Sequence, residues 1–423
     1  MNDIQSSCVF ERRNNNFSEN RMNFDPKKLS PEERRLDVIV KFFHPVVAGI
    51  ETNILNIYSY LAKEGWEVII HTSTSTPDAP HSLPDRGEIR GLSIWRYPWR
   101  WYGFVPDIDW KRKGSICLHN FNVFPHSWML FLVLILRIFH RTNRMVFLVP
   151  HGGYTPGWWT FTPFQRFSKR IYQRLIGTLL INRVVDGLRS VSEWESAETI
   201  KSGVRRDIVE TIPNGIEREV SSDIEGMASE KIRSIVKELG DYVVQVGRIH
   251  PIKNQLTTIR AVAKVPGITF AIAGPVTDEK YKLLLDEEIQ KLGVSDRVRF
   301  LGVVDGIDKY YLLRHSLANT HMASWESYCN AVHESMSQGC VCIVAKDTAL
   351  EELIKDGVNG YAVSVEDASA VAEKIRYVLK QKGSNDILEM RKRNIAFTEG
   401  HSWDDLAKKV ESFYTKTLAR KHS

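Results

Sequence analysis

The strand–loop–helix–strand unit that opens at Leu36 is written again from Asp241. In the first copy "LDVIVKFF" is a continuous apolar strand and "HPVVAGIE" a turn with Gly49. "ETNILNIYSYLAKEG" then carries Ile54, Ile57, Tyr58 and Leu61 at helical spacing and stops at Gly65, and "WEVIIHT" is the next strand. In the second copy "DYVVQVG" is a strand, "RIHPIK" a loop, "NQLTTIRAVAKV" a helix with Asn254 in the capping position, and "ITFAIAG" a strand ending in Gly274. "RVRFLGVV", "LANTHMA", "VCIVA" and "GYAV" read as further strands with helical stretches between them. Strands that alternate with helices build parallel sheets, so a unit that restarts predicts an α/β chain of two Rossmann-like domains side by side. At 423 residues there is enough chain for two full cores.

The boundaries follow from composition. Residues 1–35 are rich in Asn, Ser, Arg and Glu and form a polar lead expected to be disordered. Residues 36–215 are assigned to an N-terminal domain and 216–400 to a C-terminal one, with a hinge in the turn-rich "IPNGIEREVSSDIEG" at 212–226. Residues 401–423 read as an amphipathic helix, expected to pack back on the first domain.

A net charge of +6 permits an anionic partner, a phosphate or a lipid surface, and is too small to argue for nucleic acid. The five cysteines (Cys8, Cys117, Cys329, Cys340 and Cys342) are odd in number, lie mostly in apolar runs and have no metal-ligand spacing, which reads as reduced thiols in the cytoplasm. The start of the chain lacks the basic-then-apolar pattern of a signal peptide. "WMLFLVLILRIF", 128–139, contains Arg137 and is shorter than the roughly 20 residues a spanning helix needs, so it reads as a buried or surface-lying helix.

Ligands of doubly wound sheets bind beyond the carboxyl ends of the strands, where helix N-termini collect. The first domain offers Gly49, then "VPHGGYTPG" at 149–157 with His151, then "SVSEWES" at 190–196. The second offers Gly247, Arg248 and Lys253 in "VGRIHPIKN", Gly274 in "AGPV", and Val303 in "FLGVV". Two cations at a helix N-terminus suit a diphosphate, although two ordinary surface cations would look the same. His151 could donate to a sugar hydroxyl or phosphate, or be a satisfied structural histidine. His119 and Asn120 form a further strand-end pair, read as structural.

"SWESYCNAVHESMSQGCVCIV", 324–344, places Glu326 and Glu334 eight positions apart in a run that reads as a loop turning into a helix, ending at Gly339 before a short apolar strand. On one helix they would sit about 12 Å apart, both broadly on one side. A glycosidase pair has to flank the scissile bond from two sides, so this spacing suits two grips on one extended ligand better. Two solvated acids are the plain alternative. The small apolar flanks "CNAV" and "CVCIV" argue for a buried helix instead.

Together these segments resemble the retaining family-four group of GT-B glycosyltransferases (glycosyl transferases group 1) over roughly residues 36–415. "FFHPVVAGIETNILNIYSYLAKEGWEVIIHT" is similar to that family's opening strand, glycine loop and helix. "PHGG" resembles its His-Gly strand end. "SVSEWESAETIKSGV" with "TIPNGIE" resembles its run into the interdomain linker, "VGRIHPIKN" its diphosphate grips, and "SWESYCNAVHESMSQGCVCIV" its two-glutamate signature. Two positions depart from the pattern. Ser327, Tyr328 and Cys329 stand where the family has Gly-Phe-Gly, and Ala48 replaces the first glycine of the opening loop.

The resemblance implies transfer of a sugar from a nucleotide diphosphate sugar, UDP- or GDP-linked, to a glycan or lipid-linked acceptor with retained anomeric configuration and without a metal. Glu334 would hold the ribose hydroxyls and Glu326 would contact the transferred sugar. Arg248 and Lys253 would neutralise the leaving diphosphate, and His151 would touch the donor sugar or its phosphate. Gly49, Gly247, Gly274, Val303 and the run Ser327, Tyr328, Cys329, Asn330 would line the donor. Two other readings of the same fold stay open: an inactive transferase-like partner subunit, and a nucleotide-sugar epimerase. "IWRYPWRWYGF", 94–104, interleaves Trp95, Trp99 and Trp101 with Arg96 and Arg100, and Lys111, Arg112 and Lys113 follow. That mixture suits an anionic membrane surface, stacked sugar rings, or a loop packed on its domain. A cytoplasmic enzyme lying on the inner face of a membrane is the corresponding expectation for location.

Overall fold

The computed structural model describes residues 29–46, 48–76, 83–154, 161–217 and 224–422. Most of the polar lead, with Cys8, lies outside these residues, as do parts of the 149–157 and 212–226 segments. Leu29 is already buried, and the first strand begins at Arg35, one residue before the expected start.

Among the described residues, fourteen strands form two sheets. The first holds β1 (Arg35–Ile39), β2 (Glu67–Ser73), β3 (Arg86–Ile89), β4 (Leu92–Tyr97), β5 (Ser115–His119), β6 (Met145–Val149), β7 (Gly187–Ser190) and β8 (Val209–Thr211), in the order β3-β4-β2-β1-β5-β6-β7-β8. The β3–β4 pairing is antiparallel and every other pairing in that sheet is parallel. The second holds β9 (Tyr242–Val246), β10 (Thr269–Ala273), β11 (Val298–Gly302), β12 (Ala318–His321), β13 (Val341–Ala345) and β14 (Gly360–Val363), ordered β11-β10-β9-β12-β13-β14 and parallel throughout. β1, β5, β6, β12, β13 and β14 carry no exposed residue, as strands covered by helices on both faces must. In each sheet the order reverses beside the first strand of the unit, at β1/β5 and at β9/β12. Those two reversals are where such sheets open a crevice for ligands.

The chain crosses between the domains twice, and the two crossings are bound together. Ile216 donates its amide to the His401 carbonyl at 2.9 Å, and Trp403 returns one to the Ile216 carbonyl at 3.1 Å. Gly215 has to be glycine there, because a Cβ would lie 2.6 Å from the Trp403 Cα. The last helix, Trp403–His422, then lies on the first domain. Phe413 and Tyr414 pack on Phe147, and the Trp66 indole donates to Glu411 at 3.0 Å.

The aromatic–basic segment 94–104 is mostly internal. Its first residues belong to β4, and Arg96 is buried, donating to the Pro84 carbonyl at 3.0 Å and the His44 carbonyl at 3.1 Å. Trp99 packs on the core, whereas Trp101 stands out at 87% exposure. "WMLFLVLILRIF" lies within the helix His126–Ile138 and its C-terminal end. Met129, Leu130 and Val133 are buried while Phe131, Ile135 and Ile138 are exposed.

Candidate functional site: a cleft at two strand-order reversals

β9 ends at Val246, and the loop that opens with Gly247 is held from both sides. Gln245 donates its amide to the Lys253 carbonyl at 2.8 Å, and Gln255 donates to the Arg248 carbonyl at 3.0 Å. Gly274, at the end of β10, has φ +155, and a Cβ on it would lie 2.1 Å from the Gly247 carbonyl oxygen. Two bare backbones therefore touch and leave a floor without side chains. Asn254 takes a left-handed φ of +48 and does not cap its helix with its side chain. Its amide group instead donates to the Val365 carbonyl at 2.9 Å.

The loop after β12 closes on this floor. Ser324 donates its amide to the Ile252 carbonyl at 2.9 Å, which ties the two loops of the reversal together. Glu326 lies in this loop and not on a helix. The helix begins at Asn330 and runs to Ser337, so the run is a loop turning into a helix, with Glu326 on the loop and Glu334 on the helix. The reason is Cys329, whose φ of +86 breaks the helical path just before Asn330. This residue keeps a conformation that favours glycine although it is not one. No side chain of the capping residue closes the first helical turn.

Glu326 is buried and accepts a hydrogen bond from the Lys253 ammonium. Its Oε1 also lies 3.0 Å from His321 Nε2. Burial works against the charge, but the ammonium and the His321 hydrogen bond outweigh it and hold the carboxyl at about 2. Burial likewise pulls Lys253 down, and the Glu326 carboxylate reverses this, so the pair stays ionised. Cys329 Sγ lies 3.3 Å from His321 Nε2, and burial pushes the thiol upward. By type, His321, Glu326 and Cys329 could ligate a metal, with ligand atoms within 4.8 Å of one another. Lys253 supplies a resident cation at the same carboxylate. Arg248 is exposed beside it.

Glu334, on the helix, meets the Lys309 ammonium at 2.8 Å. Tyr328 and Asn330, expected to line the donor, both bond Asn214. The Tyr328 hydroxyl donates to the Asn214 carbonyl at 3.2 Å and meets His333 Nδ1 at 2.8 Å, while Asn330 Oδ1 accepts from the Asn214 side chain at 2.9 Å. Asn214 in turn bonds Asn53 at 2.6 Å, and the wholly buried Arg189 donates to Asn53 Oδ1 at 3.3 Å. This polar chain joins the first domain, the hinge and the signature loop.

From the first domain, His151 follows β6 with φ +48. Its Nε2 meets His119 Nδ1 at 2.8 Å, His119 Nε2 meets the Tyr58 hydroxyl at 2.7 Å, and Tyr58 meets Tyr414 at 3.1 Å. Burial, reinforced by the Arg189 charge, pulls His151 down to about 3 and keeps it neutral; burial also takes His119 well below its usual range. Gly152 has φ +79 and faces the other domain, where a Cβ would lie 2.4 Å from the Trp325 ring and 3.4 Å from the Ser327 Cβ. The Glu195 carboxylate holds this turn from beneath by accepting the Gly152 amide, with the Val191 amide at 2.9 Å on its other oxygen; burial nevertheless pushes its pKa up to about 7.

The two reversals thus bring together His151, Gly152, Gly247, Lys253, Gly274, Glu326, Ser327 and Cys329. Gly49 begins the helix Gly49–Lys63 and is exposed, with nothing within 4 Å of where a Cβ would go. Val303 is exposed beyond β11, the edge strand, three strand spacings or about 14 Å from β12. His321, Lys309, Trp325, Asn214 and Glu195 belong to the site or its frame and were not singled out in the sequence. His321 ends a strand and so carried a readable signal; the other four carry none in their local pattern.

Two family models tile the chain. Glycosyltransferase Family 4 matches residues 47–220, and Glycosyl transferases group 1 matches 229–396. The lipopolysaccharide core biosynthesis glycosyltransferase LpsE of Rhizobium meliloti is 32% identical over 139 residues, which is 32% of this chain and 39% of that protein. N-acetyl-alpha-D-glucosaminyl L-malate synthase of Bacillus anthracis is 27% identical over 38% of this chain and 45% of its own length. The chain therefore matches less than half the length of these two curated relatives. Among solved structures, Anabaena HepE in complex with UDP-glucose superposes with a TM-score of 0.70 at 17% identity, covering 91% of this chain and 99% of that one. Sucrose-phosphate synthase from Thermosynechococcus elongatus gives 0.71 at 15% identity, with the same coverage. With both halves matched and the two-domain architecture shared along almost its whole length, the chain belongs to the group 1 glycosyltransferases of GT-B fold.

Proposed function

We propose that this protein transfers a sugar from a nucleotide diphosphate sugar to a glycan or lipid-linked acceptor with retention at the anomeric carbon. The observation that carries the proposal is the Lys253–Glu326 ion pair standing over the Gly247–Gly274 floor at the β9/β12 reversal. A floor without side chains lets a diphosphate approach the backbone. Lys253, Arg248 and the uncapped amides after Cys329 supply positive charge where the leaving group gathers negative charge. A UDP-sugar complex of the similarly folded HepE supports the same donor class.

In the proposed reaction the bond between the anomeric carbon and the phosphate oxygen breaks, and its electron pair stays on the nucleoside diphosphate. The acceptor oxygen bonds to the anomeric carbon from the same face, and its proton passes to the departing phosphate oxygen. Glu326, paired to Lys253 and His321, is a poor nucleophile and a good fixed anion beside a carbon that is gaining positive charge. Glu334, released from Lys309 by the donor, accepts from the ribose hydroxyls. Lys253 and Arg248 fill the charge-neutralising role without a metal.

The test supplies a panel of UDP- and GDP-sugars with glycan and lipid-linked acceptors, and reads nucleoside diphosphate release and the product anomer by NMR. Release with a retained anomer is expected. Binding of donor without release would make the chain an inactive partner subunit. Interconversion of the donor without acceptor would make it an epimerase, and an inverted product would overturn the mechanism.

A further inference from the structure

The helix Pro163–Arg174 carries an apolar stripe that no packing among the described residues buries. Its start is well defined, since Thr162 and Gln165 form a reciprocal capping box, yet none of its residues is buried. Phe164, Phe167 and Ile171, continued by Leu175 and Leu179 in the turn that follows, recur at helical spacing and all face solvent; Phe164 is 78% and Phe167 62% exposed. An amphipathic helix on a domain normally turns such a stripe inward. Here the inward side is the polar one. Tyr172 donates to the Phe121 carbonyl at 2.7 Å, and Gln173 to the Tyr154 carbonyl at 3.4 Å.

A neighbouring helix repeats the arrangement. His126–Ile138 buries Met129, Leu130 and Val133 in the same core that takes Ile176 and Leu180, and it leaves Phe131, Ile135 and Ile138 outside. The charge is equally one-sided. Residues 161–185 contain five Lys or Arg (Arg166, Lys169, Arg170, Arg174 and Arg183) and no Asp or Glu.

From this face we propose that the first domain docks flat on an anionic lipid bilayer, with the helix Pro163–Arg174 seated at the headgroup level. Large apolar side chains ringed by cations, on a helix lying along the surface, are what an interfacial helix presents to acidic lipids. A second copy of the chain fits the face badly. A two-fold interface would set the same patch against itself, five cations against five, with no acid in the segment to relieve them. The face also bears on the cleft. Tyr154, three residues after His151, donates its hydroxyl to the Gly177 carbonyl at 2.5 Å, which ties the strand-end turn to the turn that continues the docking helix. Docking rests on this surface alone and does not depend on the transfer reaction.

The experiment is co-sedimentation of the full chain with sucrose-loaded vesicles of phosphatidylglycerol and phosphatidylcholine, 1:1, against phosphatidylcholine alone. The wild type is expected to pellet with the anionic vesicles, and less so in 0.5 M NaCl. The double variants Phe164→Ser/Phe167→Ser and Arg170→Glu/Arg174→Glu should each weaken partition at least tenfold, while Leu283→Ser, an exposed position on the other domain, should leave it unchanged. All of these positions are exposed, and unaltered circular-dichroism melts confirm that the variants fold. Equal recovery in the supernatant with and without anionic lipid overturns the proposal. So does pelleting that ignores both double variants, and so does a concentration-dependent dimer that Phe164→Ser/Phe167→Ser dissolves while lipid binding persists.

Discussion

The Trp325 ring of the second domain occupies the space where a Cβ on Gly152 of the first would stand, 2.4 Å away. Nothing but hydrogen fits between the backbone carrying His151 and the loop carrying Glu326. Gly152→Ala should therefore hold the domains apart. The added methyl also carries the cost of a positive φ, about 1 kcal/mol, which falls on a turn and not on either core. Misplacing reacting groups by about 1 Å costs about a hundredfold in rate. The expected result is a loss of that order in kcat/KM, with each domain still folded and a larger radius of gyration by solution scattering. An unchanged rate would mean that the turn shifts without consequence.

Arg248 and Lys253 look alike in sequence, but the structure separates them. Arg248 is exposed, so Arg248→Ala should cut donor turnover by one to two orders of magnitude and leave stability unchanged, as expected for a charge-assisted contact of about 1.5–3 kcal/mol. Lys253 sits against the buried Glu326. Lys253→Ala strands that carboxylate, and removing one member of a buried pair costs about 3 kcal/mol. Urea melts should show the difference: Lys253→Ala loses stability, and Lys253→Ala/Glu326→Ala recovers part of it.

Much of the fold could be read locally, because periodicity is a local property. The second sheet, the opening strands of the first, the placement of Gly247 and Gly274 at strand ends, and the helix Gly49–Lys63 follow from apolar runs and glycine stops, whereas β3 and β4 do not. The site was legible only where its residues end strands. Glu326 on a loop and Glu334 on the helix after it were legible, but Cys329 gives no sign of its positive φ, and a glycine there would have placed the boundary. Lys309 meets Glu334 across 25 residues, and Tyr58 meets Tyr414 across 356, contacts that no spacing rule reaches. Phe164, Phe167 and Ile171 have the spacing of a core-facing helix, and only the packing shows that they face outward.

Cys329 makes the departure from glycine testable. Its φ of +86 is costly for any residue with a Cβ and most costly for a β-branched one. Cys329→Gly should be neutral or stabilising by up to about 1 kcal/mol, the relief of φ being offset by the lost burial of the thiol. Cys329→Val should lose about 2 kcal/mol or more. Denaturant melts should rank Gly at or above Cys and both well above Val. A Val variant as stable as wild type would mean that the backbone there is not held as described.

Acid should destabilise the protein well above the pH at which its carboxylates titrate. Burial depresses His126 to about 4 and His151 and His333 to about 3, and takes His119 well below its usual range. A depressed folded pKa gives stability that is present above the unfolded value of about 6.5 and lost as pH falls toward the folded one. Glu51 and Glu195, raised by burial to about 7, act in the opposite sense: their contribution is full below about 4.5 and lost as pH rises through 7. Between pH 6 and 5 these imidazoles, with His250, His321 and His401 lowered as well, outnumber the two raised carboxyls, so the unfolded chain binds more protons and stability should fall as pH falls. Urea midpoints at pH 6.0 and 5.0 measure it, and a flat profile would contradict neutral buried imidazoles.

The two glutamates should fail in different ways. Glu334 is paired with Lys309 at 2.8 Å on a helix, and in the proposed reaction it faces the ribose, which is the same in ground and transition states. Replacing it with Gln removes binding that both states share, so KM for the donor should rise about tenfold with kcat nearly unchanged. Lys309→Met should copy that effect in weaker form if the pair positions the carboxylate. Glu326 is already ionised and fixed by Lys253 and His321 before donor arrives. Its interaction strengthens as the anomeric carbon gains positive charge, so Glu326→Gln should lower kcat by about a hundredfold and move KM little. Some rate should remain, because the same-face route forms no covalent bond to the protein. Single-turnover rates and nucleotide binding on both variants separate the cases. Equal, purely binding losses would leave the pair as two grips and remove Glu326 from the chemistry, and a sugar trapped covalently on Glu326 would replace the same-face route with a double displacement.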